Sequence, residues 1–203
     1  MNTAKRRSAP DPRDDIARVM GFVNTLTGRD AAAPAEKLSS YDALLEWARG
    51  VGIVTAPVAA ELRKAAESHP SEAGRVLSGA RALRETLHAL FSAVHQGKTP
   101  AGTVLADLAD HLGAGYAQAR LVFQDGALQW APGPVARLAD VTHELARAAA
   151  RLVESTTLSR VRACAADDCK WWFVDDTKNH SRRWCEMKTC GNRAKLRRYR
   201  ERQ

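Results

Sequence analysis

The chain has 203 residues, of which 45% are hydrophobic, and a formal net charge of +8 at pH 7. This composition excludes a chain that is disordered throughout and suits one ordinary core with a small appended module. No segment approaches the roughly 20 apolar residues of a membrane span, and no apolar run follows the basic residues near Met1, so neither a membrane protein nor a secretory signal is predicted. We therefore expect a cytoplasmic protein.

Four helices are predicted in the first hundred residues, each from apolar side chains at helical spacing. They cover 13–26, the stretch from the capping residues Ser39 and Ser40 to Gly50, the stretch from Pro57 to about Ser68, and 71–96. Asn24 and Thr25 are polar residues within the first of these patterns. They either end that helix or line a pocket of the N-terminal domain.

A different pattern follows these helices. The pair Asp125-Gly126 separates two apolar runs at the spacing of a tight β-hairpin. Helical spacing then resumes over 135–155. The predicted fold class is mainly α: a helical N-terminal domain with a small β-hairpin, followed by a four-cysteine, zinc-ribbon-like finger that ends in a basic helix.

The chain changes character near residue 157. Residues 158–203 hold 13 Lys and Arg against 6 Asp and Glu, which is nearly all of the net charge. All eight prolines lie at or before Pro134, and Gly191 is the one glycine after Gly133. We expect an N-terminal domain over 1–157 and a finger over 158–203. The segregated charge indicates an anionic partner, and the alternative is a solvated basic tail that has none.

Four cysteines form two pairs in the finger. Cys164 and Cys169 have four residues between them, as have Cys185 and Cys190, and 15 residues separate the pairs. Two thiol pairs joined by a segment that folds back once suit a tetrahedral ion, whereas disulfides do not persist in a reducing compartment. The pattern predicts one structural Zn²⁺ on the four thiols, with an iron–sulfur centre as the alternative.

The segment between the cysteine pairs is rich in tryptophan. Trp171–Val174 is predicted as a short strand, with Trp172 and Trp184 buried. Trp171 is then exposed and is a candidate for stacking on an unpaired base. Gly191 follows the last cysteine and is expected to take a positive φ there.

The same residues carry a resemblance to a known family. Cys164-x4-Cys169, Trp172-Phe173-x-Asp175 and the run from Ser181 to Lys195, with the tetrad Cys190-Gly191-Asn192-Arg193, closely resemble the CGNR zinc finger family. Phe22-Val23-Asn24-Thr25 and Leu44-x-x-Trp47 look like the opening of the ABATE domain that usually precedes such a finger. The resemblance implies a stress-induced transcriptional regulator with a nucleic-acid-binding finger.

The basic C-terminal end is the predicted contact element. A helix over 191–202 is expected to turn Arg193, Arg197 and Arg200 outward and to pack Leu196 and Tyr199 on the finger. Arginine binds phosphates bidentately and reads guanine, although some of these arginines can instead balance the thiolate charge. The candidate nucleic-acid-binding residues are Arg182, Arg183, Arg193, Lys195, Arg197, Arg198 and Arg200.

The favoured function is a zinc-dependent, DNA-binding transcriptional regulator. Its finger and basic helix contact duplex DNA, and its helical domain senses a small-molecule or protein effector. An RNA-binding protein and a zinc module that docks on an acidic protein remain open as alternatives. No enzyme is expected, because the histidines of the N-terminal domain are scattered without a paired nucleophile.

Overall fold

A computed structural model describes residues 12–124, 126–133 and 136–200. The seven α-helices within these ranges are α1 (Pro12–Val23), α2 (Tyr41–Gly50), α3 (Ala56–Ser68), α4 (Pro70–His95), α5 (Gly102–Ala117), α6 (Asp140–Val153) and α7 (Asn192–Arg200). The strands are β1 (Leu26–Thr27), β2 (Ala35–Glu36), β3 (Arg120–Gln124), β4 (Ala127–Ala131), β5 (Val161–Ala163) and β6 (Trp172–Val174). They pair as three two-stranded antiparallel sheets, β1 with β2, β3 with β4 and β5 with β6.

Helix α6 lies at the centre of the helical part. Its apolar residues Val141, Leu145 and Leu152 follow helical spacing and are buried against α5, α1 and α4. The crossing with α5 is so close that it requires a glycine, because a Cβ on Gly115 would lie 2.9 Å from the Cβ of Ala146. The backbones of α5 and α6 therefore pack almost directly on each other.

Helix α4 carries much of the remaining core and holds the β1–β2 hairpin in place. Its Arg84 is 2% exposed and donates two hydrogen bonds to Glu36, at 2.7 and 2.6 Å, and one to the hydroxyl of Thr25 at 3.2 Å. Burial by itself raises the pKa of Glu36, but the hydrogen bonds from Arg84 bring it below its ordinary value. The charged pair fixes the segment that follows α1.

The predicted helices and the hairpin are present, with shifted boundaries. Helix α1 ends at Val23, three residues early, and Asn24 and Thr25 form the turn after it. Helix α6 begins at Asp140 rather than at 135. Pro134, Val135 and the turn residue Asp125 lie outside the described residues. Helix α5 was not predicted, although its 16 residues pack directly on α6.

Strands β5 and β6 join the finger to the helical part. Val161 of β5 and Trp172 of β6 are buried in the same hydrophobic core as α4 and α6. Phe173 points the other way and belongs to a second small core around the cysteines. This strand pair therefore shares residues with both cores, on either side of a single short sheet.

None of the helices in the three described ranges is long and apolar enough to cross a membrane.

Candidate metal centre

The four cysteine sulfurs converge on one point. Their Sγ atoms all lie within 4.8 Å of one another, and the pairs Cys169–Cys185 and Cys185–Cys190 are each 3.7 Å apart. A tetrahedral Zn²⁺ with Zn–S bonds of about 2.3 Å requires sulfurs about 3.8 Å apart. The spacing leaves room for one ion at the centre and none for a cluster of several irons.

The surroundings of the sulfurs suit a structural ion. Cys164 and Cys190 are buried, and Cys169 and Cys185 are half-buried. Burial raises the pKa of Cys169 to about 11 and also raises that of Cys185, so zinc binding has to release protons from these thiols. Four thiols fill a tetrahedral shell and leave no position for water or substrate. The donor set thus fits one structural Zn²⁺.

The backbone around the first cysteine pair forms a tight turn. The amide of Cys164 donates to the carbonyl of Trp171 at 2.8 Å, and the amide of Cys169 donates to that of Ala166 at 3.1 Å. Lys170, directly after the second cysteine, adopts a φ of 57°. The residue with a left-handed backbone near the sulfurs is therefore Lys170, after the first cysteine pair. No glycine in the sequence indicated a positive φ at this position.

Gly191 is small for a different reason from the one predicted. It is not among the residues of positive φ, so the expectation of a left-handed glycine after Cys190 was wrong. Residues Met187–Gly191 instead form one wide helical turn, which closes with a bond from the Gly191 amide to the carbonyl of Glu186 at 3.2 Å. A Cβ on Gly191 would lie 2.4 Å from the sulfur of Met187. The glycine makes room for that side chain.

Arg182 holds the second cysteine pair against strand β6. Its guanidinium donates to the carbonyls of Trp184 at 3.0 Å, Val174 at 3.4 Å and Cys185, and it lies 4.8 Å from the ring centre of Phe173. The Arg182 side chain, which was predicted to contact nucleic acid, thus contacts three backbone carbonyls and an aromatic ring. Its N–H donors are used within the finger.

Asp175 fixes the backbone on the N-terminal side of Arg182. Its carboxylate is fully buried and accepts hydrogen bonds from the amide and hydroxyl of Thr177, at 3.0 and 2.6 Å, and from the amide of Arg182 at 3.0 Å. Burial would raise the pKa of Asp175, but these hydrogen bonds lower it below its ordinary value. The aspartate thereby fixes the loop that leads from β6 to the second cysteine pair.

We expect Arg182→Ala to loosen the metal site, because three carbonyls lose their charged donor at once. Zinc release to a chelator should become at least about tenfold faster, the equivalent of ~1.4 kcal/mol. The matched control is Arg183→Ala, since that exposed neighbour lies over the Trp184 ring at 5.6 Å and donates to no carbonyl within the described part of the finger. Equal release rates for the two variants would contradict this role for Arg182.

The last two residues of the tetrad also have defined contacts. The side-chain amide of Asn192 donates to the carbonyl of Lys188 at 3.1 Å and so ties α7 to the preceding turn. Arg193 donates to the sulfur of Cys190 at 3.3 Å and lies 3.5 Å from the carboxylate of Asp168. A tetrathiolate zinc carries a formal charge of about −2, which a neighbouring guanidinium stabilises.

Helix α7 is rotated relative to the prediction. Leu196 and Tyr199, which were expected to pack on the finger, are 51% and 61% exposed. The side of α7 that faces the first cysteine pair carries Arg193 and Arg197, and Arg197 donates to Asp167 at 2.6 Å. The predicted packing of the apolar stripe was therefore wrong: the side of α7 turned toward the finger carries the two arginines, which face the adjacent Asp167 and Asp168.

The three tryptophans of the finger occupy different environments. Trp171 is 36% exposed as predicted, and the Lys37 ammonium lies 5.2 Å from its ring centre, so base stacking by Trp171 stays a prediction. Trp172 is buried as predicted, although in the helical core rather than in the finger. Trp184 is half-buried against the cysteines.

Trp172 and Asn24 form the main connection between the two parts of the chain. The side-chain amide of Asn24 donates to the Trp172 carbonyl and accepts from the Trp172 amide, both at 2.9 Å. The indole N–H of Trp172 donates to Nδ1 of His88 at 2.8 Å. Thr25, the other pocket candidate, donates to the carbonyl of Phe22 at 2.7 Å. The polar atoms of both candidates are thus engaged within the chain.

This connection was missed by sequence reasoning. The sequence did contain one indication of it, because Asn24 and Thr25 are polar residues within an apolar pattern. Their partner could not be identified, because it lies 148 residues further along the chain. Burial lowers the pKa of His88, as does nearby Arg29, which keeps Nδ1 free to accept the indole hydrogen bond.

Comparison with known families agrees with this arrangement. Residues 160–203 match the CGNR zinc finger, and residues 2–156 match ABATE, a family described as "Putative stress-induced transcription regulator". A search of curated proteins gave no significant match. Both matched descriptions are of regulator or zinc-finger type rather than of enzymes. Because the ABATE match spans most of the residues, the chain belongs to the ABATE family, and it carries a CGNR zinc finger at its C-terminal end.

Proposed function

We propose that this protein is a transcriptional regulator that binds duplex DNA through its finger and helix α7. The observation that carries the proposal is a set of cations on α7: Lys195, Arg198 and Arg200 are exposed and have no ion-pair partner among the described residues. Leu196 and Tyr199 are exposed between them. Cations interleaved with apolar side chains suit a surface that meets phosphates and base edges together.

A groove beside α7 supports the same surface. It has a volume of about 190 Å³ and lies between the first cysteine pair and the helix, with Arg183, Trp184 and Arg198 among its lining residues. Two guanidinium groups and an indole ring at one opening are suited to a phosphate and its attached sugar or base. Arg193 and Arg197, which also line the groove, already pair with Asp168 and Asp167.

The proposal also includes the role of the four cysteines as zinc ligands. Cys164, Cys169, Cys185 and Cys190 are the zinc ligands in it, and the ion fixes the turn from which α7 starts. Nucleic-acid contacts then divide into two groups. Arg183, Lys195, Arg198 and Arg200 contact nucleic acid directly, whereas Arg182, Arg193 and Arg197 position the finger.

The test is a salt titration of binding to duplex DNA. Each phosphate neutralised by Lys or Arg contributes about −0.9 to the slope of log K against log salt. The triple variant Arg183→Ala, Lys195→Ala, Arg198→Ala should therefore bind more weakly, with a slope shallower by about 2.7. The readout is fluorescence anisotropy on a labelled random duplex at several salt concentrations, with zinc content checked in parallel.

A charge-matched control separates this surface from general attraction. Lys64→Ala, Arg75→Ala, Lys98→Ala removes three exposed cations of the helical part and should leave the slope unchanged. Equal loss in both triple variants would contradict the proposal. Preference for RNA of the same sequence would favour the RNA-binding alternative. Salt-independent binding to an acidic protein would favour the alternative of a zinc module for protein contact.

In this proposal residues 1–157 form a sensor domain and residues 158–203 the DNA-contacting finger, with no catalytic step. An effector that binds the helical domain is expected to alter DNA affinity, because Trp172 is shared by both parts. An effector that binds without altering DNA affinity would contradict this arrangement.

A further inference from the structure

The β3–β4 hairpin exposes its apolar face. Leu121 pairs with Trp130 and Phe123 with Leu128 across the two strands, so all four side chains lie on one side of the sheet. Their exposed fractions are 52%, 47%, 74% and 66%, in that order. The opposite side carries Val122, Gln124 and Gln129, which are half-buried. The apolar side of this hairpin is therefore turned to solvent, the reverse of the usual arrangement.

A ring contact joins this face to the helical part. The ring of Tyr116 on α5 lies edge-on to that of Trp130, with centroids 5.3 Å apart. Arg120 donates to the carbonyl of Pro132 at 3.2 Å, and this bond closes the open end of the hairpin.

An exposed apolar face of this kind is suited to docking, and its occupant has to bring an apolar surface of its own.

We propose that the occupant is the same face of a second copy of this chain, packed about a twofold axis. The four residues carry no charge, so two identical faces meet without the repulsion that a net charge of +8 imposes elsewhere. Sheets pack face to face through interdigitating side chains, and a twofold interface needs only a self-complementary patch.

The area agrees with an interface of this kind. The four residues together expose roughly 450–500 Å², within the range of about 300–600 Å² that the largest and often functional patch of a monomer covers. A specific interface buries about 800 Å² on each partner, of which an apolar centre of this size forms more than half. The exposed turn residue Gly126 extends the patch toward the remainder.

The experiment is sedimentation equilibrium of the zinc-loaded full chain without nucleic acid, over a wide range of protein concentrations. We expect a mass of about twice the 22.2 kDa of one chain. Phe123→Thr with Leu128→Thr should shift the mass to that of one chain with an unchanged circular dichroism spectrum. Leu105→Gln, which removes another exposed apolar side chain, should remain dimeric.

A wild-type chain that stays monomeric at every concentration would overturn the proposal, and so would a dimer that survives the double substitution. Capture of another protein by a monomeric wild type would assign the face to that partner and overturn it equally. The result does not depend on DNA binding, because the centrifuged sample contains no nucleic acid.

Discussion

Trp172→Ala is expected to lower the free energy of unfolding of the whole zinc-loaded chain by about 3–5 kcal/mol, the usual cost of deleting a buried aromatic side chain. The indole is 6% exposed and lies edge-on to the rings of His88, Phe91 and His95, at centroid distances of 5.5, 5.9 and 6.0 Å. Removing it leaves a cavity beside α4 and the Nδ1 atom of His88 without its donor. Urea unfolding followed by circular dichroism measures the loss.

The adjacent residue provides a control of the same chemistry. Trp171→Ala removes an identical side chain that is 36% exposed and contacts Lys37, so the loss should stay below about 1 kcal/mol. Only the first variant should speed zinc release, because only it frees strand β6 from the helical core. Similar losses of stability in both variants would argue against a shared core.

Removal of zinc is expected to unfold one part of the finger and to spare another. In Cys185→Ser the zinc content should fall from one per chain to none, and the apparent binding energy of about 10–16 kcal/mol that structural zinc contributes would be lost. Residues beyond Asp175 should then lose their structure, including α7. Because α7 has 9 residues, the helical signal should fall by only about a tenth.

Limited proteolysis locates this boundary. Trypsin should cut the variant at Lys178, Arg183 and Lys188, which follow β6, while Arg160 and Arg162 stay protected beside Val161 in the helical core. Elemental analysis of the wild type supplies the zinc count. A wild type without zinc, or loss of most of the helical signal in the variant, would contradict the expectation. Early cleavage at Arg160 would show that β5 belongs to the finger alone.

Much of the fold was predictable because its signals are local. The spacing of Val76, Leu83, Leu87 and Phe91 indicates α4, and the Gly126 turn indicates the β-hairpin. Helix α5 was missed because its three glycines, at 102, 113 and 115, weaken the helical pattern. Gly115 is required by contact with Ala146, which lies 31 positions away and cannot be read from the neighbouring residues.

The candidate site divides in the same way. The cysteine pairs predicted a metal centre because the ligand type and the short spacing within each pair can be read directly from the sequence. The orientation of α7 was mispredicted because it depends on which side meets Asp167 and Asp168, and a helical wheel contains no information about that neighbour. The internal hydrogen bonds of Arg182 could not be predicted for a similar reason, since its carbonyl acceptors are brought together only when the loop folds, and its contact with nucleic acid stays a prediction.

The bond between Asn24 and Trp172 has a consequence for the order in which the protein is made. The two residues are 148 positions apart, and ribosomes add about 5–20 residues each second, so Trp172 emerges roughly 7 to 30 s after Asn24. Until then α4 lacks the indole that fills its side, and the turn after α1 lacks its backbone partner. The helical part, although translated first, therefore completes its core only when the finger strands have left the ribosome.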